Sequence, residues 1–262
     1  MSAIHFYKYQ GTGNDFVILD NRKGDYNELT EEQVKHLCDR RFGIGADGFM
    51  LLNEQEGYDF GMKYYNADGR EGSMCGNGGR CLVAFARKMG FIQEHLRFLA
   101  VDGPHEASMK GDDWVNLKMQ DVDGVEIGSL YYYLNTGSPH FVKFTDDVQA
   151  LDVYTAGREI RYNDRFAQVG TNVNFVQPLE NGIFVRTYER GVEDETYSCG
   201  TGVTAAALMT AKEPKDYVIP VTTLGGSLEV RFTKTGERSY DNIWLCGPAT
   251  LVYEGDIKLA VK

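Results

Sequence analysis

Long apolar runs, closely spaced cysteines and proline are what this sequence has little of. The longest stretches without Asp, Glu, Lys or Arg are 16 residues, at 127–142 and 196–211, and both contain Gly, Ser and Thr. A bilayer-spanning helix needs about 20 mostly apolar residues, so neither stretch qualifies. The amino terminus, MSAIHFYKYQ, alternates as a strand does and lacks the apolar segment of a secretory leader. Five cysteines among 262 residues are too few to staple a fold, and an odd number leaves one thiol unpaired within a chain. A soluble protein in the reducing cytoplasm is therefore expected.

Basic side chains are also short. Lys and Arg total 27 against 38 Asp and Glu, a net charge of −11. Such a surface is ill suited to phosphate backbones or anionic membranes, so neither nucleic acid nor membrane is expected as a partner. There is no C-x-x-C, no H-E-x-x-H and no G-x-x-x-x-G-K-[ST], and no metal is expected. Gly43, Gly45 and Gly48 spell G-x-G-x-x-G, but a helix end precedes them and a strand follows, the reverse of the dinucleotide-binding order.

What is present is an ordinary globular composition, 42% hydrophobic and 25% charged, with glycine enriched to 30 of 262. Strands are expected at IHFYKYQ, FVILD, GFMLL, FGMKYY and WVNLKM, and later at YYYLN, FVKF, VNFVQ, IFVRTYE and LEVRF. T-E-E-Q at Thr30 offers a capping box for a helix to about Arg40 with Val34, Leu37 and Cys38 on one face. Further helices are expected from near Gly78, carrying Leu82, Val83, Phe85 and Ala86, and from near Thr201.

A faint repeat joins the halves. SMCGNGGRCLVAFA (73–86) resembles YSCGTGVTAAALMT (197–210), and TGNDFV (12–17) resembles TGSPHFV (136–142) at almost the same offset. Each half thus carries C-G-x-G opening an apolar helix. A cysteine there sits at the positive end of the helix dipole, which favours its thiolate. The glycines admit a ligand to backbone N–H groups that suit a carboxylate. Two matched thiols could invert a hydrogen-bearing stereocentre, one removing the proton and the other returning one to the opposite face. The competing reading is a pair of buried, inert cysteines, which fits Cys38, Cys81 and Cys246 better than Cys75 and Cys199.

Six segments in order carry a resemblance to diaminopimelate epimerases: GTGNDFVILDN (11–21), RRFGIGADG (40–48), YYNADGREGSMCGNGGRC (64–81), LNTGSPHFV (134–142), GTNVNFVQ (170–177) and VRTYERGVEDETYSCGTG (185–202), with GPATLVYEGD (247–256) as a closing segment. The resemblance implies a cofactor-independent isomerase interconverting LL- and meso-2,6-diaminopimelate in lysine biosynthesis. It implies an α+β fold of two pseudo-symmetric domains, each a mixed sheet curled around a central helix. The expected halves are 1–121, joined by 250–262, and 122–249, with the active site in the cleft between them. It further implies Cys75 and Cys199 as the catalytic bases. Gly76 and Asn77, with Gly200 and Thr201, would hold the reacting carboxylate. Asn14, Asn66, Asn172, Glu189 and Arg190 would contact substrate, and His140 and Glu189 would tune the thiols. A homodimer is also implied.

Two positions depart from many members: Ser138 stands where Asn is common, and Gly48 where Gln can occur. The enzymatic alternative is a proline or hydroxyproline racemase, which would place His after the first Cys-Gly. The non-enzymatic alternative is a binding protein of this fold with its cysteines joined as a disulfide.

Overall fold

A computed structural model describes residues 3–111 and 113–259; Met1 and Ser2 of the expected first strand, Asp112, and residues 260–262 of the expected returning stretch lie outside the described residues. In chain order the elements begin β1 (Ala3–Gly11), β2 (Asn14–Asp20), α1 (Glu31–Cys38), β3 (Gly48–Asn53), β4 (Phe60–Asn66), α2 (Gly76–Lys88), β5 (His95–Ala100), β6 (Gly103–Lys110) and β7 (Trp114–Lys118). Then come β8 (Val122–Asp123), β9 (Glu126–Ile127), β10 (Tyr132–Asn135), β11 (Pro139–Phe144), α3 (Val153–Arg161), β12 (Asn172–Leu179) and β13 (Gly182–Glu189). The last are β14 (Asp194–Thr196), α4 (Gly200–Leu208), β15 (Asp216–Thr223), β16 (Gly226–Lys234), β17 (Ser239–Pro248) and β18 (Thr250–Lys258). Two compact units result: Met1–Leu117 with Pro248–Lys262, and Lys118–Gly247.

The first unit orders its strands β18-β1-β2-β3-β4-β5-β6-β7. The β2–β3 and β4–β5 pairs are parallel and the others antiparallel. Each parallel pair needs a crossover, and α1 and α2 supply them. Helix α2 packs against β1, β2, β3, β6 and β18, and Cys81–Ala86 within it are all buried. A helix enclosed on all sides must be apolar all round, which R-C-L-V-A-F-A satisfies except at Arg80.

Helix α1 begins as its capping box requires: Thr30 takes the Gln33 N–H, and the Gln33 side chain takes the Thr30 N–H. It ends at Cys38, two residues short of the expected Arg40. Asp39 is extended (φ −65°, ψ 124°), and its carboxylate accepts the N–H groups of Arg41 and Phe42, which turns the chain out of the helix. Val34, Leu37 and Cys38 pack with Val17, Leu19, Phe49 and Leu51.

The second unit repeats the plan as β9-β10-β11-β12-β13-β15-β16-β17, with β11–β12 and β13–β15 parallel. Helix α4 lies against β11, β12, β13, β15 and β16. Helix α3, not among the helices expected from the sequence, fills the crossover that α1 fills in the first unit. Only Val153 and Gly157 of its nine residues are buried. Gly157 is required there, because a Cβ would stand 2.3 Å from that of Tyr188. Both units are thus mixed sheets with a central helix, an α+β fold built twice.

Candidate active site

Cys75 and Cys199 occupy the same station in their respective units. Each is the N-cap of the central helix, with extended backbone angles (φ −101°, ψ 127° and φ −109°, ψ 111°) and no capping hydrogen bond from its side chain. Each N-cap carbonyl accepts the first helical N–H, from Gly79 at 2.7 Å and Val203 at 2.8 Å. The helices open at Gly76 and Gly200, earlier than the apolar pattern alone indicates, because the cysteine itself forms the cap. Cys199 is buried and Cys75 partly so. The other three thiols are buried in the packed interior. Burial pushes Cys38 up to about 12 and raises Cys81 further still.

Around Cys75, the Asn14 side-chain oxygen lies 3.6 Å from Sγ and also accepts from Asn77 Nδ2 at 3.3 Å. Asn14 Nδ2 donates to Asp47 at 2.8 Å. Asp47 and Asp15 are held by Arg40 at 2.7 Å each, and buried Lys8 reaches Asp15 at 2.8 Å and the Gly45 carbonyl. These partners hold the Asp15 carboxyl well below the usual range against the opposing effect of its burial. Arg80, fully buried in α2, donates to Thr12 at 3.2 Å and to Asn77 at 3.1 Å. Asn66 is exposed and closes the 66–70 turn through its backbone, yet its register partner Gly48 is also the partner of Phe16, two residues from Asn14. Gly48 leaves room for the Tyr64 ring, whose hydroxyl would stand 2.8 Å from a Cβ there.

Around Cys199, Thr201 Oγ1 lies 3.5 Å from Sγ and 3.2 Å from Ser138 Oγ. Ser138 in turn contacts His140 Nε2 at 2.9 Å and Asn172 Nδ2 at 3.1 Å. His140 is wholly buried; burial, aided by the nearby Arg190 charge, pushes its pKa down to about 3. Asn174 Nδ2 donates to its Nδ1 at 3.1 Å, and Thr187 donates to Asn174 Oδ1 at 2.9 Å. Asn172 Oδ1 accepts the Arg190 N–H at 2.9 Å, while Glu189 accepts from Thr196 at 2.8 Å. Gly202 is indispensable to this packing, since a Cβ on it would meet Asn174 Oδ1 at 2.2 Å.

The fold therefore gathers Asn14, Gly76 and Asn77 at Cys75, with Asn66 at the same sheet end. In the second unit it gathers His140, Asn172, Gly200 and Thr201 at Cys199, with Glu189 and Arg190 at the end of β13. Several residues of these networks escape the sequence reading, among them Asp47, Arg80, Asn174 and Thr187. Two carried a signal. Arg80 is a charge inside an apolar helical run, and Asn174 shares a strand face with Asn172 at spacing two.

A family profile for diaminopimelate epimerase matches residues 6–124 and 132–252. The chain belongs to the diaminopimelate epimerase family. The diaminopimelate epimerase of Flavobacterium psychrophilum is 48% identical over 257 residues, covering 97% of this chain and all of that protein. That of Chlorobaculum tepidum is 45% identical over 260 residues, covering 95% of this chain and 99% of that one. Among solved structures, a phenazine biosynthesis protein of the PhzF family from Bacillus anthracis aligns over 99% of this chain and all of its own, with TM-score 0.76 and 14% identity. A hydroxyproline epimerase from Agrobacterium vitis aligns over 97% and 92%, with TM-score 0.65 and 15% identity. At such identities these two share the fold. The sequence relatives carry the epimerase family assignment.

Proposed function

We propose that this member of the diaminopimelate epimerase family interconverts LL- and meso-2,6-diaminopimelate, a step of lysine biosynthesis, using Cys75 and Cys199 as its paired acid and base. The observation that carries the reading is the matched placement of the two cysteines, each capping the central helix of its unit in the same extended conformation. Near-complete alignment at 48% identity to a diaminopimelate epimerase supports the choice of substrate.

A single base returns a proton to the face from which it came, so inversion calls for two groups. In this reading one cysteine is a thiolate that removes the α-proton, and the other is a thiol that protonates the opposite face. Negative charge spreading onto the α-carboxylate is stabilised by the helix N-termini at Gly76–Asn77 and Gly200–Thr201. Asn14, Asn66, Asn172, Glu189 and Arg190 hold the substrate, Arg190 as a carboxylate clamp and the amides as partners for ammonium and carboxylate alike. His140 and Glu189 set the environment of the thiols. The halves 1–121 with 250–262 and 122–249 each contribute one thiol. Cytoplasmic location and homodimeric assembly complete the reading.

Incubation of the reduced protein with LL-diaminopimelate in D2O, without added cofactor, is the direct test. The meso isomer should form with deuterium at one α-carbon. Cys75→Ala and Cys199→Ala should each abolish full epimerisation. A reduced, folded protein that neither exchanges nor epimerises would refute the reading, and an active single variant would refute the two-base mechanism.

A further inference from the structure

On the first sheet, the face that carries α2 holds a phenol between two of the amides gathered at its end. Strand register and the two-residue alternation of strands put Asn14 and Phe16 of β2, Gly48 and Met50 of β3, and Tyr64 and Asn66 of β4 on one face. The first turn of α2 rests on that face, because a Cβ on Gly78 would stand 3.2 Å from Met50 Sδ and 3.5 Å from the Phe16 ring. Cys75 caps the same turn, and Asn14 Oδ1 lies 3.6 Å from its Sγ. Gly48 pairs with Phe16 on one side and with Asn66 on the other. It therefore stands between the strands that bring Asn14 and Asn66.

Two glycines clear a slot for Tyr64. A Cβ on Gly48 would stand 2.7 Å from Tyr64 Cε2 and 2.8 Å from its hydroxyl oxygen. On the other edge of the ring, a Cβ on Gly72 would stand 2.9 Å from Cε1, 3.0 Å from Cδ1 and 2.9 Å from Asn66 Nδ2. The Gly72 N–H donates to the Tyr64 carbonyl at 3.0 Å, which keeps this second glycine against the ring. Phe16 meets the ring edge-on, with centroids 6.3 Å apart and planes at 68°. The ring is thus held on three sides with its hydroxyl over Gly48, yet Tyr64 stays only partly buried. Packing alone would be served equally well by phenylalanine. What the tyrosine adds is a donor and an acceptor between Asn14 and Asn66.

We infer that Tyr64 is a substrate-binding residue whose hydroxyl hydrogen-bonds the second amino-acid head of diaminopimelate, and that positions 48 and 64 compete for one place in the site. This contact rests on the functional reading above. There the reacting carboxylate takes the backbone N–H groups at the start of α2, which leaves the side chains on the sheet face for the other head. Gly48 stands where Gln can occur among family members, and any side chain at 48 would enter the space that the phenol fills. A phenol donates to a carboxylate or accepts from an ammonium, and either partner is charged, which strengthens the bond. The second head keeps its charge throughout inversion, so the contact holds ground state and transition state alike.

Tyr64→Phe tests this, since it leaves the ring in its slot and removes only the hydroxyl. Calorimetric titration with meso-diaminopimelate, on protein carrying Cys199→Ala so that bound substrate is not epimerised, should show binding weakened about tenfold, the value of a hydrogen bond to a charged group. With both cysteines present, Tyr64→Phe should raise KM by about the same factor and leave kcat in place. The urea midpoint should not move. Gly48→Gln combined with Tyr64→Ala places an amide where the hydroxyl was, and should bind more tightly than Tyr64→Ala alone. Unchanged affinity in Tyr64→Phe overturns the contact, as does a loss of affinity matched by a lowered urea midpoint, which would mark packing. No gain from the added amide overturns the shared place of positions 48 and 64. Binding in the expected order without epimerisation by the unsubstituted protein removes the functional reading alone. Epimerisation with Tyr64→Phe at full affinity removes the contact alone, and absence of any binding removes both.

Discussion

His140 makes acid stability a quantitative test of the buried chain behind Cys199. The imidazole is wholly enclosed, and its pKa falls from an ordinary 6.5 to about 3 through burial and the Arg190 charge. Between those values the unfolded chain binds a proton that the folded protein does not. The stabilisation is therefore complete above about pH 6.5 and declines as pH falls towards about 3. Within that window each pH unit costs about 1.4 kcal/mol. A step from about pH 6.5 to about pH 5 thus removes about 2 kcal/mol through this residue alone. Urea unfolding of the wild type and His140→Gln across that range isolates the effect, since Gln retains a donor and an acceptor but does not titrate. Carboxylates common to both proteins contribute equally and cancel in the difference. The wild type should lose about 2 kcal/mol relative to the variant between the two ends of the range. Parallel profiles, with a difference constant to a few tenths of a kcal/mol, would show that His140 is not held neutral by burial.

Gly202→Ala forces a methyl group to 2.2 Å from Asn174 Oδ1 and should destabilise the protein by about 1–3 kcal/mol in urea unfolding; an unchanged midpoint would mean that Asn174 is not tightly packed. Asp47→Ala removes the acceptor that orients Asn14. Because the Arg40–Asp47 pair is exposed, stability should change by less than about 1 kcal/mol. Epimerisation should nonetheless fall about tenfold, the value of one directed hydrogen bond; full activity would remove Asn14 orientation from the account. Thr30→Ala breaks the α1 capping box and should cost about 1 kcal/mol of stability, with kcat/KM unchanged. A comparable loss of activity there would show that α1 couples to the site.

The thiols, their Gly-rich helix starts and most strands are legible in the sequence because each rests on a local pattern. Helix α3 is less plain: Val153, Ala156, Gly157 and Ile160 do recur at helical spacing, but the stripe fits within nine residues and one of its members is a glycine. The repeat held the missing information: α1 bridges β2 and β3, so its counterpart must bridge β11 and β12. Among site residues, Asn14, Asn77, Asn172 and Thr201 are found through motifs. Asp47 and Thr187 are not, because their contribution is to orient an amide brought to them by tertiary structure. Arg80 and Asn174 stand between these cases, since each is a polar residue breaking an apolar pattern. Ser138 departs from the common residue of the family, and only the folded protein shows what its hydroxyl joins.

The return of β18 to β1 sets an order of events during synthesis. His5 and Asp256 are register partners 251 positions apart. Strand β1 is made long before its outer neighbour β18 is translated. Until then β1 presents a sheet edge of unsatisfied N–H and C=O groups, a template for pairing with other chains. The second unit is contiguous and holds none of its strands beyond Pro248, so only the first sheet waits for β18. Purified chains truncated after Ala249 should accordingly show a protease-resistant second unit and a sensitive first one. A chain truncated at that point keeps both thiols and leaves its first sheet open along β1.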